Sequence, residues 1–440
     1  MLKRQALFVI PLVLSAVVGG VSGQSDPVGT TTAPLGGRFL HFVADTPMAA
    51  DPVTHCGTAT CGLTNLTTGD VNNDGYPDIG AAHGFRKAGI YLNQGAHSFA
   101  AEHVLSEAWW PVAGNIGATS IAMGDLDRDG HLDLVIPLYG DVRQHMIQVY
   151  RGLGGGTFAI WPVDGYNAAT QSEGKDGVND GIIVASGAAN PMFPLIADFN
   201  GDGRPDVAVS GNNGSWSIDI LSQAANQQFA VSDVNPAGQN PQYMALGDFN
   251  EDGFPDVVAG SLYTGVLVFL NDANGQGAIH RAGGTYLSRH HHYVVVADFN
   301  GDGHQDIAVR GNRDARVYIL YGNGAGAFPS SANFPVRGID GYLVAADIDQ
   351  DGDSDLVVNS LSTRSVDLLL NDGTGRFSAP ASIFLNAAPW GIAAADFDQD
   401  GRVDIAVSRM DDTVQVLWNR QGSDRTGTFL RSSWKYILAR

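Results

Sequence analysis

Residues 294–309 read VVVADFNGDGHQDIAV: an apolar run, a loop carrying Asp298, Asn300, Asp302 and Asp306, and a second apolar run. Oxygen-bearing side chains two residues apart around a glycine suit a catalytic carboxylate pair, a metal site or a solvated turn. Recurrence separates these uses, and the pattern DxNxDGxxD or DxDxDGxxD occurs seven times. The copies are DVNNDGYPD (Asp70, Asn72, Asp74, Tyr76, Asp78), DLDRDGHLD (Asp125, Asp127, Asp129, His131, Asp133) and DFNGDGRPD (Asp198, Asn200, Asp202, Arg204, Asp206). They continue with DFNEDGFPD (Asp248, Asn250, Asp252, Phe254, Asp256) and the opening loop DFNGDGHQD (Asp298, Asn300, Asp302, His304, Asp306). The last two are DIDQDGDSD (Asp347, Asp349, Asp351, Asp353, Asp355) and DFDQDGRVD (Asp396, Asp398, Asp400, Arg402, Asp404). Successive copies start 55, 73, 50, 50, 49 and 49 residues apart. A period near fifty that holds several short strands marks a propeller with one repeat per blade.

Each period has the same internal order. An apolar strand such as YMALG or YVVVA leads into the acidic loop, and DVVAG or DIAVR follows it. A more alternating strand comes next (GVLVFLN, RVYILYG, SVDLLLN), then a Gly-rich turn such as GNGAGAF opens a fourth. The unbroken first strand suggests burial on both faces near an axis, and the alternating third suggests a more exposed place. Pro329 and Pro335 suit an outer edge, where a missing amide donor costs least. The expected fold is therefore all-β: a seven-bladed propeller of four-stranded antiparallel blades over residues 50–440, with one calcium loop per blade. Residues 24–49 are expected to be a linker with a possible closing strand. Two segments compete to complete the last blade, GGRFLHFV around Phe39 and GTFLRSSW around Phe429.

Within a loop, oxygens at positions one, three and five point inward and Gly at six permits the turn. The carbonyl of residue seven can join them, and Asp at nine closes the cage. This all-oxygen set suits Ca²⁺, whereas softer metals favour Cys or His. Three carboxylates in four of the loops and four in the other three make 24 of the 46 acidic residues. Without a cation such clusters repel and raise their own pKa values. Seven Ca²⁺ ions would bring the formal charge of −21 to about −7, or about −9 once Lys3 and Arg4 are lost. The acidity thus belongs mostly to the loops. It argues against a nucleic-acid partner, as does the scarcity of lysine, found only at Lys3, Lys87, Lys175 and Lys435. Seven equivalent acid clusters would also be a strange way to build one active site.

The first residues, MLKRQALFVIPLVLSAVVGGVSG, have the form of a secretory signal peptide over 1–23. That implies an extracellular, periplasmic or cell-surface location, with no membrane insertion after cleavage. In such a compartment Cys56 and Cys61, the only cysteines, are expected to form a local disulfide.

The repeats resemble the FG-GAP and VCBS repeats of the integrin α-chain propeller and its bacterial and fungal relatives, from about residue 50 to the end. The calcium motif carries the resemblance. The family's Phe-Gly and Gly-Ala-Pro signatures are not clear in this chain, which favours the secreted VCBS-type propellers over an integrin subunit. The resemblance implies calcium ligands at positions one, three, five, seven (through the carbonyl) and nine of each loop, and no single function.

If the acidic loop follows the innermost strand, all seven loops share one face of the disc. The opposite face is then built from segments that precede first strands and from turns between second and third strands. These carry Trp110, Trp216, Tyr263, His290, His291, His292, Tyr342 and Trp390, with Asn190 to Phe193 and Tyr243 beside them. Aromatic rings among Arg, Asn and His suit sugar stacking or protein contact. The expected activity is that of a monomeric recognition or adhesion module for a glycan or extracellular protein. The competing expectation is a polysaccharide lyase or hydrolase using His, Tyr or Arg on that face. The triplet His290 to His292 could ligate zinc or supply a base, although only two neighbours in an extended segment can converge. A polar insertion at 161–189 is expected on the same face, and Asn65 and Asn213 begin glycosylation sequons.

Overall fold

The computed structural model describes residues 30–35, 38–44, 47–49, 63–83, 87–105, 116–140, 146–162, 166–167, 172–173, 182–184, 190–211, 216–237, 240–261, 263–287, 291–311 and 313–421. The leader, Cys56 and Cys61, Trp110, His290, Asn213 and the GTFLRSSW segment lie outside them.

Seven antiparallel blades follow one another along the chain. Blade four shows the plan: Pro241–Gly247, Asp256–Ser261, Gly265–Asn271 and Ile279–Tyr286 pair in that order. Blades one, three, five and six begin at Leu63, Pro191, His291 and Leu343. Blade two opens with a split strand, Ile116–Ala118 and Ala122–Gly124, both paired to Asp133–Gly140.

Blade seven combines Pro389–Ala395, Asp404–Arg409 and Thr413–Gln421 with Arg38–Ala44 from the other end of the chain. The N-terminal segment thus supplies the outer strand of the last blade, and Thr30–Leu35 pairs outside it. Phe42, 1% exposed, anchors this closure in the core between blades six and seven.

The apolar residues form seven clusters, one in each gap between neighbouring blades. Position two of every acidic loop enters such a gap. Val71, Leu126, Phe199, Phe249, Phe299, Ile348 and Phe397 are all buried. This explains an apolar residue inside an otherwise polar loop.

Burial across a blade differs from the expectation. In blade four the second strand is buried throughout and the third is nearly so, whereas an outermost strand such as Phe229–Pro236 alternates between half-buried and exposed residues. The alternating sequence of the third strand does not mark exposure, because adjacent blades cover both its faces. The first strand is not buried on both faces either: Tyr243, Ala245 and Gly247 alternate with buried Met244 and Leu246, and this alternate set faces the axis. The insertion after blade two also departs from expectation. It interrupts the outer strand, whose two halves Phe158–Ile160 and Ile182–Val184 both pair with Met146–Gly152, so it leaves from the rim. Fully buried Trp161 pins its start, donating Nε1–H to the Gln227 carbonyl at 2.9 Å.

Candidate functional site

All seven acidic loops fold alike. Position four is left-handed in each, from Glu251 at φ 57° to Gly201 and Gly301 at 71°, and the glycine at six lies between 85° and 96°. A side chain with a Cβ is strained at these last angles, which fixes Gly there. Backbone amides then hold the carboxylates. The Oδ2 atom of position one accepts from the glycine N–H at 2.7–3.1 Å in every loop. Position five accepts from the N–H of residue seven at 2.9–3.1 Å.

Position nine has a second task that spacing did not reveal. Its Oδ2 accepts the N–H of residue two, and its Oδ1 accepts the N–H of a residue close to the end of the third strand, as for Asp256 with Phe249 and Asn271, both at 2.7 Å. These carboxyls are buried, 1% exposed or less. Burial, with the acids at positions one, three or five adding to it, pushes Asp78, Asp133, Asp206, Asp256 and Asp355 up to about 7. Asp306 rises to about 6 and Asp404 to about 8 for the same reason.

Three loops gather three carboxylate oxygens within 4.8 Å of one another: Asp125, Asp127 and Asp133; Asp347, Asp349 and Asp351; and Asp396, Asp398 and Asp404. These are the three loops with Asp at position three. In the loops of Asn72, Asn250 and Asn300 the amide Nδ2 instead donates to the carboxylate at position five, at 2.9–3.0 Å. The donor set of the triads fits a hard cation, and the buried Asp127 Oδ1 has no protein partner. Basic side chains also reach two of the triads. Arg151 bridges Asp127 at 2.6 Å and Asp129 at 2.8 Å, and Asp398 meets Arg420 at 2.6 Å and His97 at 2.9 Å.

On the opposite face, Tyr342 and Trp390 are brought together by a side-chain hydrogen bond. Tyr263 stands exposed on the turn between the second and third strands of blade four, and Trp216 immediately precedes the third strand of blade three, Ser217–Gln223. His291 and His292 begin the first strand of blade five, where the His291 backbone pairs with Gly311 and bridges to Ser261 of blade four. Asn65 is 6% exposed and lines the axis, so it is no acceptor for a glycan, contrary to its sequon.

A β-bulge just before the axial residue recurs in the first strands of blades one, three, four, five and seven. Bulges re-aim side chains, and here Tyr243 and Tyr293 meet on the axis with Tyr342, which reaches it from blade six without a bulge; each lies five residues before a loop's first Asp. Tyr243 lies 3.1 Å, hydroxyl to hydroxyl, from each of the other two. Burial raises all three phenols, Tyr342 to about 12. Tyr293 was not among the expected face residues: within YVVVA it has the look of an ordinary core residue, and only its register relative to Asp298 marks it.

FG-GAP-like repeat models match residues 70–136, 198–259, 248–309, 298–358 and 347–407, more than half of the chain. The chain belongs to the FG-GAP-like repeat family. No curated protein matches the sequence. Among solved structures, the FG-GAP-like propeller resembles an Agrocybe aegerita lectin described as recognising non-reducing terminal N-acetylglucosamine. Identity is 18%, coverage is 87% of this chain and 90% of that one, and the TM-score is 0.52. It also resembles BBS1N, solved in complex with ARL6DN, at 12% identity, with 87% and 98% coverage and a TM-score of 0.55. At these identities the likeness is one of fold.

Proposed function

We propose that the chain is an exported, calcium-binding propeller that recognises a glycan through the face opposite its acidic loops. One observation carries this reading: among the described residues, four of the six exposed large apolar side chains sit at the strand ends away from the loops, the other two being Leu153 and Val234. Phe384 (61%), Met410 (54%), Tyr263 (48%) and Ile339 (38%) all lie there. The Arg337 guanidinium lies 5.7 Å from the Phe384 ring centroid, and such aromatic and guanidinium surfaces suit sugar rings or a protein partner. The lectin of like fold adds support.

Calcium is proposed at all seven loops, through positions one, three, five and nine and the carbonyl of position seven. The shared backbone conformation supports equal coordination, and the three carboxylate triads are the strongest candidates. When bound, the cation supplies charge neutralisation and ties a blade's first two strands together. The chain's own residues do the rest: glycine and residue-seven amides orient the carboxylates, and position two locks the loop into the core. A glycan array, run alongside an absorbance assay for lyase action on polyuronides, tests the reading. Binding without turnover is expected; turnover, or a blank array with binding to a protein ligand instead, overturns it.

A further inference from the structure

The seven loops share one conformation but are not joined alike. Position four lies between two proposed ligands of its own loop, and in three blades its side chain reaches the next loop around the disc. Gln350 Nε2 donates to the Gly401 carbonyl at 2.6 Å, Gln399 Nε2 to the Gly75 carbonyl at 2.6 Å and Asn73 Nδ2 to the Gly130 carbonyl at 3.1 Å. Each acceptor is the glycine at position six of the following loop. The three contacts are consecutive, from blade six to seven, from seven to one and from one to two, so the middle one joins the last blade to the first.

The glycine carbonyl and the N–H of residue seven belong to one planar peptide group, so an oxygen held in place fixes where that N–H points. In the three receiving loops the N–H donates to the position-five carboxylate: Arg402 to Asp400 Oδ1 at 3.0 Å, Tyr76 to Asp74 Oδ1 at 2.9 Å and His131 to Asp129 Oδ1 at 3.0 Å. A relay therefore runs from position four of one loop, through a single peptide, to position five of the next. Residue seven ties two of the carboxamides down further. Arg402 Nη1 donates to Gln350 Oε1 at 3.3 Å, and Asn73 Nδ2 lies 3.0 Å from His131 Nδ1.

Residue type agrees with this task. A carboxamide donates to a carbonyl without bringing charge to a cation site. The relays start from the three loops with Asn or Gln at position four; the others carry Arg128, Gly201, Glu251 and Gly301. Glu251, whose carboxylate has no proton to donate, meets the His304 ring at 2.5 Å instead. The glycines have no side chain to reach across, and a Cβ at Gly301 would lie 2.9 Å from the Gly373 carbonyl oxygen.

We propose that Asn73, Gln350 and Gln399 are positioning residues that couple the calcium sites of blades six, seven, one and two into one cooperative run. The coupling rests on the calcium reading given above and deepens it. Once positions three and five of loop six are fixed by ligation, Gln350 between them is fixed too, and it sets the position-five carboxylate of loop seven before that loop is filled. Gln399 and Asn73 repeat the step into loops one and two. The effect comes from preparing ligands ahead of the ion rather than from new contact with it. It is reciprocal, so filling loop two favours loop one equally.

Equilibrium dialysis of the full chain against buffered free Ca²⁺ compares the parent with the triple variant Asn73→Leu, Gln350→Met, Gln399→Met, which keeps every proposed ligand. The number of ions bound at saturation is expected to stay the same and the titration to lose steepness. The receiving sites in loops seven, one and two should each weaken roughly tenfold, the lower end for loss of a group that orients a ligand, because these carboxamides are exposed. Among single changes, Asn73→Leu is expected to weaken one site and Asn73→Gln, which keeps the donor, none. If the triple variant does not fold, Gln350→Met and Gln399→Met taken singly, each expected to weaken one site, decide in its place. Melting in EDTA identifies a purely structural tie: a lowered metal-free melt with an unchanged calcium titration overturns the coupling. A parent that binds calcium without cooperativity, or one that titrates like the triple variant, overturns it as well and leaves the calcium sites standing. No calcium binding by the parent removes both readings together.

Discussion

Asn271 Nδ2 donates to the Phe199 carbonyl at 2.9 Å, joining the third strand of blade four to the acidic loop of blade three, 72 residues earlier. The same bond recurs from Asn371 to Phe299 at 2.7 Å and from Asn419 to Ile348 at 2.9 Å. Across the ring closure it runs from Asn93 to Phe397 at 2.8 Å. An Asn close to the end of a third strand thus stitches its blade to the one before. Asn271→Asp keeps the shape but loses the donor, leaving a buried carbonyl unpaired and adding a buried carboxylate. A loss of about 1–3 kcal/mol or more is expected, to be measured by urea unfolding; a change within error would remove this role.

Chelation should loosen the same loops. Addition of EDTA is expected to lower the melting temperature and excess Ca²⁺ to restore it, by about 2.7 kcal/mol at a hundredfold excess over Kd for a single site. Asp347, Asp349 and Asp351 form a triad wholly of carboxylates, so changing all three to Asn should reduce the calcium stoichiometry measured by equilibrium dialysis. An identical melt with and without chelator would sink the metal assignment.

The buried position-nine carboxyls make that binding pH-dependent, and the sign follows from their direction. Folding raises Asp404 from 3.8 to about 8 and five of its counterparts to about 7, so the metal-free fold holds more protons than the unfolded chain. In chelator, the melting temperature should therefore rise as pH falls from above 8 toward about 5. Calcium must displace these protons, so its affinity should fall over the same acidification, with protons released on binding. Titration in two buffers of different ionisation enthalpy checks the release.

On the opposite face, Phe384→Ala together with Arg337→Ala should weaken glycan binding with little change in stability, because Phe384 is 61% exposed. A surface array probed with this variant and with the parent chain compares them directly. Equal binding would move recognition elsewhere.

How much of this was legible depends on how local each signal is. The loops could be read because all their ligands lie within nine residues and Gly at six has a steric reason visible in sequence. The Asn stitches were present as the last letter of GVLVFLN and SVDLLLN, yet their acceptors sit on another blade, so nothing local gave them meaning. Tyr342 and Tyr243 stood out only as aromatics near strand starts. What brings Tyr243 to the axis with Tyr293 is a bulge whose register depends on the partner strand; Tyr342 arrives there without one. The third strand misled because alternation reports one covered face, whereas a propeller covers two.

The pairing of Arg38–Ala44 with Thr413–Gln421 has a consequence for the order of assembly. As the chain emerges, its first blade-forming strand must wait for nearly the whole remaining sequence before its partner exists. Until then both ends of the growing array present open strand edges, which are prone to pair with other chains. A product cut short before Gln421 lacks part of this clasp. Completion of synthesis is thereby built into the geometry as the condition for sealing the circle, and a truncated copy would leave Arg38–Ala44 without its full partner.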